Sequence, residues 1–451
     1  MINVITGASW GDENKGNIID MLSSECDVAV RYQGGMNAGR VINNDYGKFV
    51  LHMLPSGAFN RNAISVIGSG VALDIPRFNQ EIETFIKCSV PIPYIKVSDR
   101  CQVIMSYHKL LEKLEEERKI REKLKKPRIT SKINEETFQA DKEVNKLMSK
   151  YHTGINALYA HKYMNIGWTL GDIFGEENDI KNHLYNIMPH VNYLIREYYK
   201  RPDLEVVVPQ VYREIQWYQD RIRAYVTDVP KFLKDFVRAK KNILFEGQMG
   251  VLRDIDYGNY GDNNLQHTMP QYAAVSAGIP PYAIDKITLV TKAYSSRVGD
   301  GFMLTEIKGS VANKIKRNSI VKAEFNLTLD NMRRTGWLDL QELAYSVRVS
   351  GANELVMTSL DALSFLDEIP VNIAYKYEGK EIDAYPVYAV LKESKPVYTR
   401  FKGWKTSLKG IEKFEKLPIE CQEYIKYIEN FVGAKIKTIF VGPTKEDVIY
   451  R

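Results

Sequence analysis

A short stretch near the N-terminus, GDENKGN (Gly11 to Asn17), combines a lysine, two acids and two glycines a few residues after the apolar run INVIT. The residues that follow, IIDML, suit a helix, and backbone amides at a helix start beside a lysine form an anion site. Lys15 would neutralise a phosphate, while Asp12 and Glu13 could hold Mg²⁺ or accept a proton. The spacing differs from the common phosphate loop, G-x-x-x-x-G-K-S/T. We therefore predict a phosphate site of different spacing, with a plain strand-to-helix turn as the alternative.

Short β-branched runs alternate with helical patterns along the chain. Several runs are continuously apolar, as a sheet covered on both faces requires. We predict an α/β fold with a large, mainly parallel central β-sheet flanked by helices, and functional residues at the carboxyl ends of its strands. The predicted strands are VAVRY (Val28 to Tyr32), AISVIG (Ala63 to Gly68), NILFEG (Asn242 to Gly247), KITLVTKAY (Lys286 to Tyr294), ELVMTSLD (Glu354 to Asp361) and IKTIFVGP (Ile436 to Pro443).

The segment from Lys109 to Lys150 carries charges of both signs at helical spacing, with a break around Pro127. We predict a charged helical insertion, a solvated arm, within one domain that spans residues 1–451. An arm that binds a partner or nucleic acid is the alternative, which the interleaved glutamates disfavour.

Composition narrows the function classes. A chain of 451 residues with 44% hydrophobic content can bury a large core. Its 62 basic and 56 acidic residues nearly cancel to a formal charge of +6, so we expect no general nucleic-acid binding. The four cysteines lie far apart, which favours reduced thiols and a cytoplasmic location. Since no stretch has membrane-spanning length, we expect no membrane association.

Several further polar or glycine-rich patches follow the opening stretch. They are RYQGGMNAGR (Arg31 to Arg40), LHMLPSGAF (Leu51 to Phe59), FEGQMGVLRDIDYGNY (Phe245 to Tyr260), KAYSSRVGDG (Lys292 to Gly301), MRRTGWLDL (Met332 to Leu340), TSLDAL (Thr358 to Leu363) and VGPTKEDVI (Val441 to Ile449). In kind, order and spacing, these patches and the opening stretch resemble the adenylosuccinate synthetase family from end to end, except in the charged insertion.

The resemblance implies a ligase that joins L-aspartate to C6 of inosine monophosphate (IMP), using GTP and Mg²⁺. An aspartate deprotonates the purine so that O6 attacks the γ-phosphate, and the amine of L-aspartate then displaces the 6-phosphoryl group. The partners implied are a purine nucleoside monophosphate, GTP (or ATP) and L-aspartate or another amine. A homodimer is also implied.

The resemblance assigns site residues to five groups. The catalytic base and the phosphate lysine are Asp12 and Lys15, and Asp12 with the carbonyl of Gly39 holds the metal. The remaining groups are the nucleotide-phosphate loop (Gly11, Glu13, Asn14, Gly16, Asn17), the purine-acceptor contacts (Asn37, Thr153, Gln248, Asn264), the amino-acid contacts (Thr328, Asn331, Arg333) and the donor-base contacts (Ser359, Asp361, Gly442, Pro443).

The chain departs from the family pattern at several of these positions. Arg40 replaces the family's catalytic histidine, and a guanidinium can neutralise a transferring phosphoryl group without donating a proton. Asn165 replaces the arginine that a neighbouring subunit supplies, and Asn331 replaces one carboxylate-binding arginine, which leaves the amine substrate open. Ser359 replaces a lysine, which leaves open whether the phosphate donor is GTP or ATP.

Other departures lie at the acceptor side. The loop around Thr153, HTGINALYAHKY, is shorter than its family counterpart and has fewer glycines. In EGQMG, Met249 holds the family's contact position and Gln248 precedes it, and the run NLQH begins at Asn264.

Ordinary structural roles are the alternatives for single residues. Asp361 could cap a helix, Arg333 could be an ion-pair partner and Asn37 could serve a tight turn. We interpret His52 as a packed, hydrogen-bonded histidine instead of a proton carrier.

Three functions remain open on the sequence alone. The leading one is a ligase of this family. The second is the phage-type relative that acts on deoxyguanylate; since that branch typically has serine in place of the aspartate base, Asp12 disfavours it. The third is a nucleotide-binding protein without catalysis.

Overall fold

The computed structural model describes residues 1–37, 39–125, 144, 147–149, 152–299, 301–318, 333–442 and 447–451. The strands there are β1 Ile2–Gly7, β2 Val28–Arg31, β3 Arg40–Asn44, β4 Gly47–Leu51, β5 Ile64–Ile67, β6 Ala72–Leu73, β7 Tyr94–Ser98, β8 Gln102–Val103, β9 Val226–Thr227, β10 Ile243–Gly250, β11 Lys286–Lys292, β12 Ser295–Arg297, β13 Glu306–Ile307, β14 Arg334–Gly336, β15 Leu338–Asp339, β16 Glu354–Thr358, β17 Glu368–Tyr377, β18 Lys380–Ile382, β19 Lys395–Lys402, β20 Lys435–Phe440 and β21 Val448–Tyr450. The helices are α1 Lys15–Ser23, α2 Ile75–Lys87, α3 Ser106–Lys123, α4 Ile155–Tyr163, α5 Glu177–Tyr193, α6 Val208–Ile222, α7 Val229–Arg238, α8 Tyr272–Ala277, α9 Ser310–Asn318, α10 Leu340–Ser350, α11 Tyr388–Glu393 and α12 Ile419–Val432.

Ten strands form the main sheet, in the order β21-β20-β16-β11-β1-β10-β2-β5-β7-β9. Every neighbouring pair is parallel except β20 and β21 at one edge. All six strands predicted from β-branched runs belong to this sheet, as β2, β5, β10, β11, β16 and β20. The predicted α/β class with a mainly parallel central sheet is therefore confirmed.

Helices cover the sheet and bury its apolar runs. One apolar cluster joins α2, α5 and α6 to β5 and β7, and another joins α10 and α12 to β16 and β20. The carboxyl ends of the parallel strands consequently lie at one edge of the sheet, as in other α/β folds.

The charged segment differs from the predicted solvated arm over the part that is described. Its first part, up to Lys123, belongs to α3, and Leu111 and Leu114 of that helix are buried. His108 at the start of α3 contacts His161 of α4, with 3.1 Å between their ring nitrogens. The helix is therefore packed on one face, whereas the break around Pro127 lies outside the described residues.

No described helix is both long and apolar enough to span a membrane. All four cysteines are unpaired thiols, and Cys88 is the exposed one.

Candidate active site

The loop between β1 and α1 is stabilised by its own side chains. Glu13 Oε1 accepts hydrogen bonds from the amides of Ser9 (3.1 Å) and Gly11 (2.9 Å). The buried Lys15 ammonium donates to Glu13 Oε2 (2.9 Å) and to the Gly11 carbonyl (2.8 Å). Burial favours the neutral acid, but the Lys15 charge and the Gly11 amide outweigh it and lower the pKa of Glu13. The loop thus fixes one ammonium group at the start of a helix.

Close backbone approaches explain both glycines of this loop. Gly11 has φ +103°, and a Cβ there would lie 3.0 Å from the Met249 Cα in β10. A Cβ at Gly16 would lie 3.0 Å from the Val41 carbonyl oxygen in β3. Larger residues would separate the loop from these two strands. Asn14, which precedes α1, has φ 68°, a left-handed conformation that asparagine tolerates.

Two more loop atoms have the character of ligand contacts. Asn14 Nδ2 and Asn17 Oδ1 are buried without a hydrogen-bond partner among the described residues. Buried amide groups normally have partners, so these groups can serve a bound phosphate or its water shell.

Asp12 lies on the same loop, with its side chain 10% exposed. Its Oδ2 accepts a hydrogen bond from the Ser296 hydroxyl at 2.9 Å, and Arg333 Nε lies 3.3 Å from the same oxygen. Lys292 donates to the Ser296 oxygen at 2.8 Å. One small cavity is lined by Asp12, Glu13, Lys292 and Ser296. The structure therefore brings the predicted base, the phosphate loop and the predicted amino-acid contact Arg333 to one place.

Arg40 forms a buried ion pair at the start of β3. Its Nε lies 3.0 Å from Glu246 Oε1, and its Nη2 donates to the Leu54 carbonyl. Glu246 also accepts hydrogen bonds from the amide (2.6 Å) and hydroxyl (2.7 Å) of Ser56. Nη1 is buried without a hydrogen-bond partner among the described residues. The guanidinium is thus anchored structurally and keeps one donor for a phosphoryl oxygen.

Two predicted acceptor residues meet beside β2. Gln248 Nε2 donates to Asn37 Oδ1 at 3.1 Å, and Gln248 Oε1 accepts from the Gly35 amide at 2.8 Å and from the fully buried Arg31 guanidinium. The register of β10 explains this position, because Ile5 pairs with Glu246 whereas Gly7 pairs with Gly250. The extra residues bulge out of β10 and direct Gln248 toward β2.

Thr153 lies in a loop that α3 fixes from outside. Its hydroxyl donates to Glu112 at 3.1 Å, and the next amide, Gly154, donates to the same carboxylate at 2.6 Å. Glu116, one turn later on α3, binds the Ser149 hydroxyl (2.6 Å) and the His152 ring (2.6 Å). The neighbouring Ile155 side chain packs against Gly35, so this loop borders the Asn37 and Gln248 pair.

The donor-base residues follow β16. Ser359 has φ 59° and occupies the N-cap position of a short 3₁₀ turn, so the alternative role of Asp361 as the cap is not observed. Ser359 Oγ and Asp361 Oδ1 are buried without hydrogen-bond partners among the described residues. Burial, together with nearby Asp447, raises the pKa of Asp361 to about 6. Thr358 donates to the Glu13 carbonyl at 3.2 Å, which ties this region to the phosphate loop.

The remaining predicted residues have less defined surroundings. Gly442 is buried after β20, and Asn264 Nδ2 is buried without a partner among the described residues. Thr328, Asn331 and Pro443 lie outside the described residues. Asn165 has φ 59° directly after α4, and its amide bonds to the Lys162 carbonyl at 3.0 Å. This helix-ending turn gives the asparagine a structural role.

His52 is packed, in agreement with its interpretation from the sequence. Its Nδ1 lies 2.8 Å from the Met36 carbonyl. Burial, with nearby Arg77 in support, lowers the pKa of His52 to about 4. A neutral ring at physiological pH is therefore expected.

The donor set assigned to Mg²⁺ fits that ion chemically. A carboxylate oxygen of Asp12 and the carbonyl of Gly39 are hard oxygen ligands, and Mg²⁺ usually takes few protein ligands besides phosphates and water. The described residues contain one cluster of three metal-type side chains elsewhere, Asp254, Asp256 and His267. Asp254 already accepts four backbone amides there, so that cluster has a structural explanation.

Sequence reasoning missed four residues of this site. Ser296 and Lys292 stand in the quoted patch KAYSSRVGDG, but no spacing rule connects them to Asp12. The charge pattern of this segment predicted a solvated surface for Glu112 and Glu116. Their i, i+4 spacing on one helix face was the available signal.

Comparison with known proteins agrees with this geometry. The family model for adenylosuccinate synthetase matches residues 4–449. Adenylosuccinate synthetase of Caldicellulosiruptor bescii is 34% identical over 453 residues, covering 100% of this chain and 99% of that protein. The enzyme of Thermodesulfovibrio yellowstonii is 33% identical over 450 residues, covering 99% and 98%.

Solved structures give the same picture. A fully ligated adenylosuccinate synthetase from Plasmodium falciparum superposes with a TM-score of 0.84 at 29% identity, covering 100% of this chain and 99% of that one. Succinoaminodeoxyadenylate synthetase of cyanophage S-2L, bound to dGMP and dATP, has a TM-score of 0.57 at 13% identity and covers 99% and 94%, which shows a shared fold alone. Neither the phage-type activity nor a non-catalytic role is favoured by these matches. The chain belongs to the adenylosuccinate synthetase family of carbon–nitrogen ligases.

Proposed function

We propose that this chain joins L-aspartate to C6 of IMP with GTP and Mg²⁺, using Asp12 as the base. The observation that supports this most directly is the placement of Asp12 beside Glu13 and Lys15, in the cavity at the carboxyl ends of β1 and β11. Asp12 accepts the purine proton, and the Lys15 ammonium neutralises the phosphate that is transferred.

The reaction has two steps. The Asp12 carboxylate takes the N1 proton of IMP, O6 bonds to the γ-phosphorus of GTP, and the bond from that phosphorus to the β-phosphate oxygen breaks. The amine of L-aspartate then bonds to C6 and loses one proton, while the C6–O6 bond breaks and inorganic phosphate leaves with the bonding electrons and takes up that proton. Phosphorylation helps because an unactivated ring oxygen is a poor leaving group. Asp12 and the Gly39 carbonyl would hold Mg²⁺, which would supply positive charge against the phosphate oxygens.

Acceptor recognition is proposed for Asn37, Thr153, Gln248 and Asn264. Two of these, Asn37 and Gln248, are already hydrogen-bonded to each other, and the loop of Thr153 borders them through Ile155 and Gly35. Donor recognition is proposed for Ser359, Asp361, Gly442 and Pro443. The Asp361 oxygen that has no hydrogen-bond partner among the described residues suits the N–H groups on the guanine edge, which adenine does not present in the same pattern.

Arg333 is proposed to bind the substrate amino acid, together with Thr328 and Asn331. Its ion pair with Asp12, at 3.3 Å, supports this role, because the guanidinium lies beside the proposed base. Arg40 is proposed to offer its remaining donor to the transferred phosphoryl group. We also propose a cytoplasmic homodimer formed by a single domain over residues 1–451, on the strength of the family alone.

A substrate panel tests this function. IMP, GMP and their deoxy forms are each combined with GTP or ATP, with and without L-aspartate, and the condensed product is detected by mass. We expect product from IMP, GTP and L-aspartate together, and none from Asp12→Asn. Normal product formation by Asp12→Asn would exclude the proposed base, whereas product from deoxyguanylate alone would exclude IMP as the acceptor.

A further inference from the structure

The Asp12 carboxylate is connected to the rigid sheet through two buried side chains. Lys292 ends β11, which pairs directly with β1, and its side chain is 2% exposed. Ser296 lies on β12 and is 5% exposed. The distances are 2.8 Å from Lys292 Nζ to Ser296 Oγ and 2.9 Å from Ser296 Oγ to Asp12 Oδ2.

The chemistry of these groups fixes the direction of both hydrogen bonds. An ammonium group has donors and no acceptor, so the Ser296 oxygen must accept from Lys292. The single Ser296 hydrogen is then available to Asp12, whose ionised carboxylate can only accept. Because each bond has one charged partner, both are stronger than bonds between neutral groups.

We propose that Lys292 and Ser296 are positioning residues that orient the Asp12 carboxylate for proton abstraction. This inference rests on the proposed role of Asp12 as the base. Lys292 fixes the serine hydroxyl, and the hydroxyl fixes Oδ2 of a residue that otherwise sits on a loop. Misplacement of a reacting group by about 1 Å can cost about a hundredfold in rate, so orientation of this carboxylate affects turnover directly.

A purely structural role for Ser296 is separable from this one. The pairing of β12 with β14, in which Ser296 lies opposite Thr335, is made by backbone groups. Removing the hydroxyl leaves those backbone groups in place. The hydroxyl itself therefore contributes mainly to the contact between Lys292 and Asp12.

The test compares Ser296→Ala and Lys292→Met with Ser296→Thr, which keeps a hydroxyl. Two matched controls are Ser350→Ala, a buried serine on α10 that bonds only within its own helix region, and Lys286→Met, at the opposite end of β11 from Lys292. Measurements are kcat, the KM of each substrate, calorimetric binding of IMP and the thermal unfolding midpoint.

We expect Ser296→Ala and Lys292→Met to lower kcat about tenfold to a hundredfold, with KM values and IMP binding within about threefold of wild type. Ser296→Thr should retain most of the turnover, and both controls should match wild type. Wild-type kcat in Ser296→Ala would overturn the proposal, as would an equal loss in Ser296→Thr. If Lys292→Met does not fold, the comparison of Ser296→Ala with Ser296→Thr tests the positioning role.

Asp12→Asn in the same assay separates the two levels of inference. Full turnover in Asp12→Asn would overturn the base and this proposal together. An inactive Asp12→Asn beside a fully active Ser296→Ala would overturn the positioning role alone.

Discussion

The phosphate loop, Gly7 to Asn17, and the acceptor loop, of which residues 149 and 152–154 are described, are stabilised by different parts of the chain. In the phosphate loop, Glu13 binds the amides of Ser9 and Gly11 and the ammonium of Lys15, all within four residues. In the acceptor loop the carboxylates come from Glu112 and Glu116, 33 to 42 residues earlier. One loop therefore carries its own support, whereas the other depends on a helix of the charged segment.

This difference suggests where each loop tolerates change. A self-contained loop keeps its geometry as long as a few adjacent residues persist. A loop fixed from a distant helix can change its own sequence while the helix holds the backbone. Within the acceptor loop, Thr153 is fixed by Glu112 of α3 and not by a residue of the loop itself.

The largest effect is expected where the self-contained loop loses its cation. Lys15→Met should lower kcat/KM for GTP about a thousandfold, since the loss of one preorganised charge contact at the transferring group costs about 10²–10³ in rate. It should also reduce the free energy of unfolding by about 3–5 kcal/mol, because Glu13 becomes an unpaired buried charge. Initial rates and urea unfolding measure the two effects.

The double variant Glu13→Gln/Lys15→Met is the control. It removes the stranded charge, so stability should largely recover while activity stays low. Recovery of both would show that Lys15 acts only through folding.

A smaller and more selective effect is expected in the acceptor loop. Glu112→Ala removes the acceptor for both the Thr153 hydroxyl and the Gly154 amide. We expect the KM of IMP to rise about tenfold, the cost of one or two such hydrogen bonds, with the KM of GTP unchanged. Steady-state kinetics with each substrate varied in turn measures this.

The matched control is Glu122→Gln on the same helix, whose carboxylate is 73% exposed and pairs with Arg118. It should behave as wild type. An equal rise in the KM values of GTP and IMP after Glu112→Ala would contradict the division between the two loops.

Donor-base binding should depend on pH through Asp361. Since the pKa of Asp361 is raised to about 6 by burial, the carboxyl gains a proton as pH falls through this value and loses its ability to accept from guanine. The KM of GTP should therefore rise up to about tenfold per pH unit below 6, while the KM of IMP changes less. Kinetics between pH 5 and 7.5 measures this, and Asp361→Asn should give a high, flat profile.

The phosphate loop and the acceptor loop illustrate which parts of the structure could be predicted from the sequence. The strands and the phosphate loop could be predicted because an apolar run followed by GDENKGN is a local pattern, and the hydrogen bonds of Glu13 and Lys15 within the loop are short-range. The link from Ser296 to Asp12 was not readable, since the two residues are 284 positions apart and meet only when β11 pairs with β1. The sequence predicted an exposed Glu112 side chain, because a charge pattern does not reveal which face of a helix is packed.

The bulge in β10 shows the same limit. In EGQMG, Met249 holds the position of the family's contact glutamine and Gln248 precedes it, so the sequence indicates that the contact is lost. The register shift between β1 and β10 instead directs Gln248 to Asn37. Sequence position and spatial position differ wherever a strand carries extra residues.

The last predicted effect concerns stability and not turnover, and it arises from a buried acid on α10. Glu342 is 7% exposed on α10, and burial with Asp339 nearby raises the pKa of Glu342 to about 8. Between the ordinary value of 4.5 and about 8, the folded state holds a proton that the unfolded state has released. Stability should therefore fall as pH rises through this window, by at most about 1.4 kcal/mol per pH unit.

Urea unfolding at pH 6 and pH 8 measures the slope. Glu342→Gln cannot ionise, so the variant should show a shallower decline than wild type, while Ser350→Ala should keep the wild-type slope. If Glu342→Gln declines as steeply as wild type, the carboxyl already carries its charge.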